Sequence, residues 1–345
     1  MNRKIIITGV TGQDGSYLAK FLLKKRYKIF GIVRSLKKKE FSNLKILKIE
    51  KKINYIKCNL LEYKKISSII KKIKPAMIFN YAGISTLQKS FKDCIRTNAV
   101  NNTAVINILD SIKLYSIKTK FFQASSSLLF KINKDKINEN SEFNPATPYA
   151  IAKLSAYFFI KYYRNNFNLF ASNGFFFNHE SPLRNDNFVT KKIIRKLVQY
   201  KLSKKITDPL YIGNLYAKRD WGYAEDYVKL SYKILKIKKP NDFIICTGRG
   251  YTVKDFINLT AKNLKLNIQW LKVKTLNEIG IDSNNNQKIV IIKKDLFRKN
   301  DSHYVCGNNY KAKKLLKWKP MSKINYLIKK MINHEIKIYN TYDKN

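Results

Sequence analysis

Residues 123–131 read QASSSLLFK and residues 148–153 read PYAIAK. Tyr149 and Lys153 are four positions apart, so on a helix they share one face and their side chains can converge. A lysine ammonium beside a phenol favours the phenolate, which can take a proton from a substrate hydroxyl as hydride leaves the same carbon. Three serines, Ser125 to Ser127, follow the apolar KFF, so Ser126 can supply a hydroxyl from a strand end. The next positions, Leu128, Leu129 and Phe130, bring no ionisable group. Near the start of the chain, TGVTGQDG spaces Gly9, Gly12 and Gly15 three apart and leads straight into SYLAKFLL. Glycine lets a backbone turn tightly and approach a pyrophosphate, and a helix N-terminus offers it free N–H groups and partial positive charge. The strand-like KIFGIV ends in Arg34 and Ser35, where an NAD-binding protein presents a carboxylate to the ribose 2′-hydroxyl. Arginine there suits a 2′-phosphate, so the cofactor read from it is NADP.

Elements that position these groups alternate along the first half of the chain. KIIITG, KIFGIV, INYIKC, AMIFNYAG, KFFQASS and LFASNGFFF read as strands, and SYLAKFLLKK, TAVINILDSIKLY and AKLSAYFFIKYY carry helical apolar spacing. Nearly continuous apolar strands between amphipathic helices predict βαβ units, with a doubly wound parallel sheet of Rossmann type covered on both faces. After residue 178 the pattern loosens. NHESPLRNDNF has turn chemistry, FVTKKIIRKLVQY reads as a helix, and PLYIGNL and FIICTG read as strands returning to the main sheet. YTVKDFINLTAKNL reads as a helix capped by Thr252, SNNNQK as a polar loop, and INYLIKKMINHEIKIY as a terminal helix. The expected organisation is an NADP-binding domain over 1–177 plus about 211–246, and a smaller α/β domain over about 178–210 plus 247–340.

Composition excludes several functional classes. With 345 residues and 45% hydrophobic content the chain can bury a large core, and no run long enough to span a membrane occurs. MNRKIIITGV enters a strand directly, so a cytoplasmic protein with no membrane partner is expected. Cys58, Cys94, Cys246 and Cys306 are far apart, and the only histidines are His179, His303 and His334, so neither a disulfide framework nor a metal site is indicated. The net charge of +46 suits a nucleic-acid or anionic-membrane partner, or follows from drift toward the Lys, Asn and Ile codons of an AT-rich genome. Lysines lie on almost every surface segment with no single basic stripe, which favours drift and no nucleic-acid partner. The field still favours a small anionic ligand.

Together these features resemble the extended short-chain dehydrogenase/reductases, and more narrowly the GDP-mannose 4,6-dehydratase family. The resemblance rests on ITGVTGQDGSYLAKFLL, NYAGIS, FFQASSS, PYAIAKLSAY, NGFFFNHESPLRNDNFVTKKI, YIGNLYAKRDWGYAEDYVK, CTGRGYTVKDF and LLKWKP, which reach from the first strand to Pro320. It implies that Gly9, Val10, Thr11, Gly12, Gln13 and Asp14, with Gly15 and Arg34, hold the phosphates and ribose of NADP. Asn59 and Leu60 would lie near the adenine, and Tyr81, Ala82, Gly83, Ile84 and Ser85 would pass under the cofactor. His179 and Arg184 would close over it, and Tyr149 and Lys153 would also contact it. Asn178, Thr190, Lys192, Arg219 and Arg298 match positions that bind the GDP portion of the substrate, the two arginines suiting its pyrophosphate.

The implied activity is that of an NADP-dependent lyase acting on GDP-mannose or a related GDP-sugar. It oxidises carbon 4 of the hexose, eliminates water across carbons 5 and 6, and returns the hydride to carbon 6. Oxidation falls to Tyr149, Lys153 and Ser126, the last in place of the family's threonine. The family's glutamate, which moves the protons of the elimination, corresponds to Leu128, and leucine does neither acid nor base chemistry. Lys131 and Lys317 replace family glycines, and Asn59 replaces an aspartate. Three readings follow: a dehydratase with a slow or relocated base, for which Glu180 is the acidic candidate; a nucleotide-sugar 4-ketoreductase or epimerase without the elimination; or a catalytically degraded partner subunit. Retention of Tyr149 and Lys153 speaks against the last. The resemblance also implies a homo-oligomer, dimer or tetramer.

Overall fold

Ile5, Ile6 and Ile7 are all fully buried, yet they belong to different cores: Ile5 and Ile7 pack on one face of a sheet and Ile6 on the other. Phe121 and Phe122 divide in the same way. Successive side chains of a strand point to opposite faces, so a strand with no polar alternation must be covered on both. In the computed structural model, which describes residues 3–37, 41–132, 134–203, 208–297 and 304–342, this is what happens.

Seven parallel strands form the main sheet: β1 (Lys4–Thr8), β2 (Lys28–Val33), β3 (Asn54–Lys57), β4 (Met77–Asn80), β5 (Lys120–Ser126), β6 (Ala171–Phe176) and β7 (Phe243–Ile245). Their spatial order is β7-β6-β5-β4-β1-β2-β3. The order reverses between β1 and β4, and the crevice outside the carboxyl ends of those strands is where such sheets bind ligands. Helices Gln13–Lys24 and Ala224–Ile234 cover one face. Helices Tyr63–Ile73, Ala104–Tyr115 and Pro148–Phe167 cover the other. The fold is the expected Rossmann-type α/β arrangement. Among the described residues no helix is long and apolar enough to cross a membrane.

A second, smaller core gathers helices Val189–Ser203, Val253–Asn263 and Ile324–Tyr342 against a four-stranded sheet. That sheet runs Ile268–Leu271, Ile279–Asp282, Lys288–Ile292 and Leu210–Ile212. Here one expectation is corrected. FIICTG returns to the main sheet as β7, but PLYIGNL does not: Leu210–Ile212 pairs parallel with Val290–Ile292. Leu210 and Ile212 bury into the second core, and the chain from there to Tyr223 stays with it. The residues from about 211 to 223, read with the first domain, therefore pack with the second. Thr252 caps its helix as expected, in a reciprocal capping box with Asp255. The RDWG segment is tied down by its aspartate. Buried Asp220 accepts from the backbone N–H groups of Thr247 and Gly248, both at 2.8 Å, and so fixes the turn that leaves β7.

Several helices end on a left-handed residue that is not glycine. Lys74, Asn168 and Lys317 close theirs at φ 45°, 51° and 48°. A Cβ is strained in that region. Lys317 is exposed, so Lys317→Gly should relieve the strain without loss of packing and raise stability by about 1 kcal/mol, read as a higher midpoint in urea unfolding.

Candidate active site

The glycine loop runs from the end of β1 over the end of β4. Gly9 has φ +65°, and a Cβ on it would lie 2.8 Å from the backbone nitrogen of Ala82. A Cβ on Gly15 would lie 2.7 Å from the Val10 Cα. Both positions therefore require glycine, one for conformation and closeness, the other for closeness alone. Val10 is fully buried, the Thr11 carbonyl accepts from Asn43 Nδ2, and Gly12 begins the helix with no side-chain cap, which leaves first-turn N–H groups open to an anion. The cradle fits a dinucleotide pyrophosphate. Arg34 follows β2, exposed and without an ion-pair partner among the described residues. Asn59 is exposed and turns its side chain onto Leu61 N, while Leu60 is buried.

Next to this loop, Tyr81 to Ser85 leave β4. The Tyr81 hydroxyl donates to Ser231 Oγ at 2.8 Å, and Ala82 N donates to Thr8 Oγ1 at 3.2 Å. Asn101, which the sequence reading missed, holds the loop through both the N–H and the carbonyl of Ile84, at 3.0 and 3.1 Å. It lies in a π-helical turn, Ala99–Thr103, and the only sequence signal is a polar NN pair inside an apolar helical run. A Cβ on Gly83 would lie 2.7 Å from Asn101 Oδ1 and 3.5 Å from Lys153 Nζ, so loop, asparagine and lysine meet here.

Thr147 caps the helix Pro148–Phe167 by accepting from Ala150 N at 3.1 Å, which puts Tyr149 in the first turn and Lys153 one turn on. Both are buried. The Lys153 ammonium donates to the Ala124 carbonyl at 2.9 Å. Ser126 Oγ accepts from Leu128 N at 3.2 Å and lies close enough to the Tyr149 phenol to favour its charged form. Burial raises the phenol above its ordinary value, and the Ser126 hydroxyl and the Arg184 charge offset only part of this. Burial also lowers Lys153 to about 8. The sequence leads one to expect a lysine-stabilised phenolate; in the folded chain desolvation dominates both groups, so the resting pair is a neutral phenol beside an ammonium that gives up its proton near pH 8.

A family model described as GDP-mannose 4,6 dehydratase matches residues 6–331. The chain is 34% identical to the GDP-mannose 4,6 dehydratase of Dictyostelium discoideum, over 99% of this chain and 98% of that protein. The human protein of the same name is 35% identical, over 97% and 92%. The chain belongs to the GDP-mannose 4,6-dehydratase family. Among solved structures, the UDP-glucose 4-epimerase of Thermotoga maritima, determined with UDP-glucose, superposes with a TM-score of 0.82 at 18% identity, covering 98% of this chain and 99% of that one. That similarity concerns the fold.

For a member of the dehydratase family, the surroundings of Leu128 matter most. Leu128 lies in a short 3-10 turn, Ser127–Leu129, after β5, and is only partly buried, whereas Leu129 and Phe130 are core residues. Glu180 is committed elsewhere. It is 1% exposed, accepts from the Thr190 hydroxyl at 2.7 Å, and its carboxylate lies 2.9 Å from Arg184 Nε. Arg184 stacks on Phe188, 3.4 Å from the ring centroid. Thr190 is thus fully buried and Lys192 exposed on the same helix. The Asn178 carbonyl accepts from Gly222 N, Arg219 lies in a short strand between Tyr251 and Val305, and Arg298 lies outside the described residues.

Missed by the sequence reading was a latch between the glycine loop and the 178–184 segment. His179 Nε2 meets Asp14 Oδ2 at 3.0 Å while its Nδ1 faces the Phe177 carbonyl at 2.8 Å, and Gln13 bonds both the His179 carbonyl and Ser181 Oγ. Burial works against both charges, yet Asp14 together with its hydrogen bond holds His179 above its ordinary 6.5, and His179 holds Asp14 below 3.8. A raised histidine stabilises fully below pH 6.5 and loses that contribution as pH rises through its folded value; a lowered aspartate stabilises above 3.8 and loses it as pH falls. The melting-temperature advantage of the wild type over His179→Gln should therefore be greatest near pH 5–6 and shrink above 6.5, as differential scanning calorimetry would record.

Proposed function

We propose that this chain is an NADP-dependent nucleotide-sugar enzyme that oxidises carbon 4 of a GDP-linked hexose, GDP-mannose or a close relative, with elimination of water across carbons 5 and 6 impaired. The observation that carries this reading is the convergence of Tyr149, Lys153 and Ser126 beside the glycine loop, at the carboxyl edge of the sheet. NADP, when bound, would accept the hydride from carbon 4 and later return it. Tyr149 takes the proton of the carbon 4 hydroxyl, Ser126 holds that oxygen, and Lys153 stabilises the phenolate while it lasts. Gly9 to Gly15 receive the pyrophosphate and Arg34 the 2′-phosphate, which favours NADP over NAD. Asn59 and Leu60 flank the adenine, Tyr81 to Ser85 underlie the dinucleotide, and His179 and Arg184 cover it. Asn178, Thr190, Lys192, Arg219 and Arg298 take the GDP portion, from the smaller unit built of 178–223 and 247–340.

A second reading, a 4-ketoreductase or epimerase working through a transient ketone, is favoured by Leu128. It gains support because neither nearby carboxylate is free to stand in: Asp14 pairs with His179, and Glu180 with Arg184 and Thr190. One experiment separates the two. The protein is incubated with GDP-mannose and NADP in deuterated water. A 4-keto-6-deoxy product with deuterium at carbon 5 supports a working dehydratase. Reduction of a 4-keto-6-deoxy sugar by NADPH, with no product or exchange from GDP-mannose, supports the second reading.

We also infer a homo-oligomer. Ile151, Phe158 and Tyr162 are 56%, 51% and 50% exposed along the outer face of helix Pro148–Phe167, at spacings of seven and four. An apolar stripe with that period suits the same helix of a second copy.

A further inference from the structure

We propose that Gln123 is a positioning residue for the catalytic lysine, acting through the Ala124 carbonyl that the two side chains share; this rests on the role assigned to Lys153 above. The Gln123 amide is 1% exposed and donates through Nε2 to the Ala124 carbonyl at 2.9 Å. Lys153 Nζ donates to the same oxygen, also at 2.9 Å. A carbonyl oxygen has two lone pairs, so these two donors fill it and fix where the ammonium can stand. Gln123 is itself held. Its Oε1 accepts from Asn80 Nδ2 at 2.7 Å, and Asn80 Oδ1 accepts from the Thr8 hydroxyl.

The chain Thr8, Asn80, Gln123 links the last residues of β1 and β4 to the middle of β5, three neighbouring strands, and each member is 1% exposed. Thr8 Oγ1 also receives Ala82 N, so the same ladder holds the loop beneath the site. Every amide group of the two side chains has a defined direction: Asn80 must present its oxygen to Thr8 and its nitrogen to Gln123, and Gln123 its nitrogen to Ala124. A buried network in which each member is satisfied specifies one arrangement and resists any other. Lys153 has no carboxylate partner among its hydrogen bonds, and a peptide carbonyl is the only anchor found for it in the described residues. Its position is thus set by a neutral ladder that reaches back to the glycine loop, and nothing in its own helix provides this.

The test uses the full chain with two substitutions. Gln123→Met keeps the volume and removes both hydrogen bonds. Gln123→Glu keeps both only while the carboxyl is protonated, because its oxygen must still donate to Ala124 and accept from Asn80. Gln123→Met should lower the rate of NADP reduction by GDP-mannose about 10- to 100-fold, as expected for a catalytic group displaced by about 1 Å, while the Kd for NADP changes less than about threefold. Gln123→Glu should match the wild type at low pH and fall progressively behind it as the buried acid ionises, a pH dependence that a loss of packing alone would not produce. Independently of turnover, peptide-resolved acetylation of Lys153 should have its midpoint near pH 8 in the wild type and at higher pH in Gln123→Glu, where a carboxylate holds the ammonium. If the wild type transfers no hydride, the functional reading fails while the acetylation profile still tests the ladder. Wild-type pH profiles and an unmoved Lys153 midpoint in a folded Gln123→Glu, with Gln123→Met within twofold of wild type, would overturn it.

Discussion

Tyr149→Phe is expected to lower NADP reduction by a GDP-sugar about 100- to 10,000-fold, with the fold retained and NADP still bound. Only the phenolic oxygen is removed, and the ring stays packed in the first turn of helix Pro148–Phe167. The wild-type pH profile has a distinctive shape. Productive oxidation needs a phenolate and an ammonium together, but burial raises Tyr149 above 10 and lowers Lys153 to about 8. Below pH 8 the fraction holding both states grows tenfold per pH unit; above it, gain of phenolate and loss of ammonium cancel. The kcat/KM for oxidation, which reports the free protein's groups, should therefore climb to about pH 8 and level off. In Lys153→Met it should be lower throughout and keep climbing past that point. A wild-type profile flat from pH 6 to 9, or a Tyr149→Phe variant within threefold of wild type, would contradict the assignment.

The second large effect is a gain. Leu128→Glu is expected to raise formation of the 4-keto-6-deoxy product about 100- to 10,000-fold, with deuterium entering carbon 5 in deuterated water. Once carbon 4 is a ketone, the carbon 5 proton is acidic, and what is lacking is a group that takes it and delivers one to the departing hydroxyl. The position can accept a carboxylate. Leu128 is only partly buried and its backbone N–H is held by Ser126 Oγ, so a glutamate would start from a fixed turn with water within reach, whereas at Leu129 it would enter a closed core. Leu128→Gln is the control, equal in shape but unable to cycle a proton. A folded, NADP-binding Leu128→Glu that gains nothing over Leu128→Gln would show that this residue does not limit the elimination.

Legibility differed from one part of the molecule to another. The glycine loop was legible because its requirement is local: Gly9 turns at positive φ, and strand, loop and helix are contiguous in the chain. Tyr149 and Lys153 were legible through the helical period, and Thr252 through its capping partner three residues on. PLYIGNL was misplaced because a short apolar run carries no mark of its partner strand, and that partner, Val290–Ile292, is some eighty residues away. The hairpin of Ile279–Asp282 and Lys288–Ile292 was legible only as its polar turn.

Residue types and spacing alone therefore determined the sheet class, the glycine loop between strand and helix, the placement of Tyr149 and Lys153 on one helical face and the absence of an acid or base at position 128. Those are properties of neighbours in the chain. Tertiary structure decided the protonation of the pair, because desolvation depends on what packs over Tyr149 and Lys153 and not on their spacing. It also decided that Glu180 and Asp14 are committed to Arg184 and His179, and that Lys153 hangs from a ladder joining Thr8, Asn80 and Gln123. Each of those bonds gains its strength from burial, and which polar groups are buried together is settled only when distant strands and loops meet.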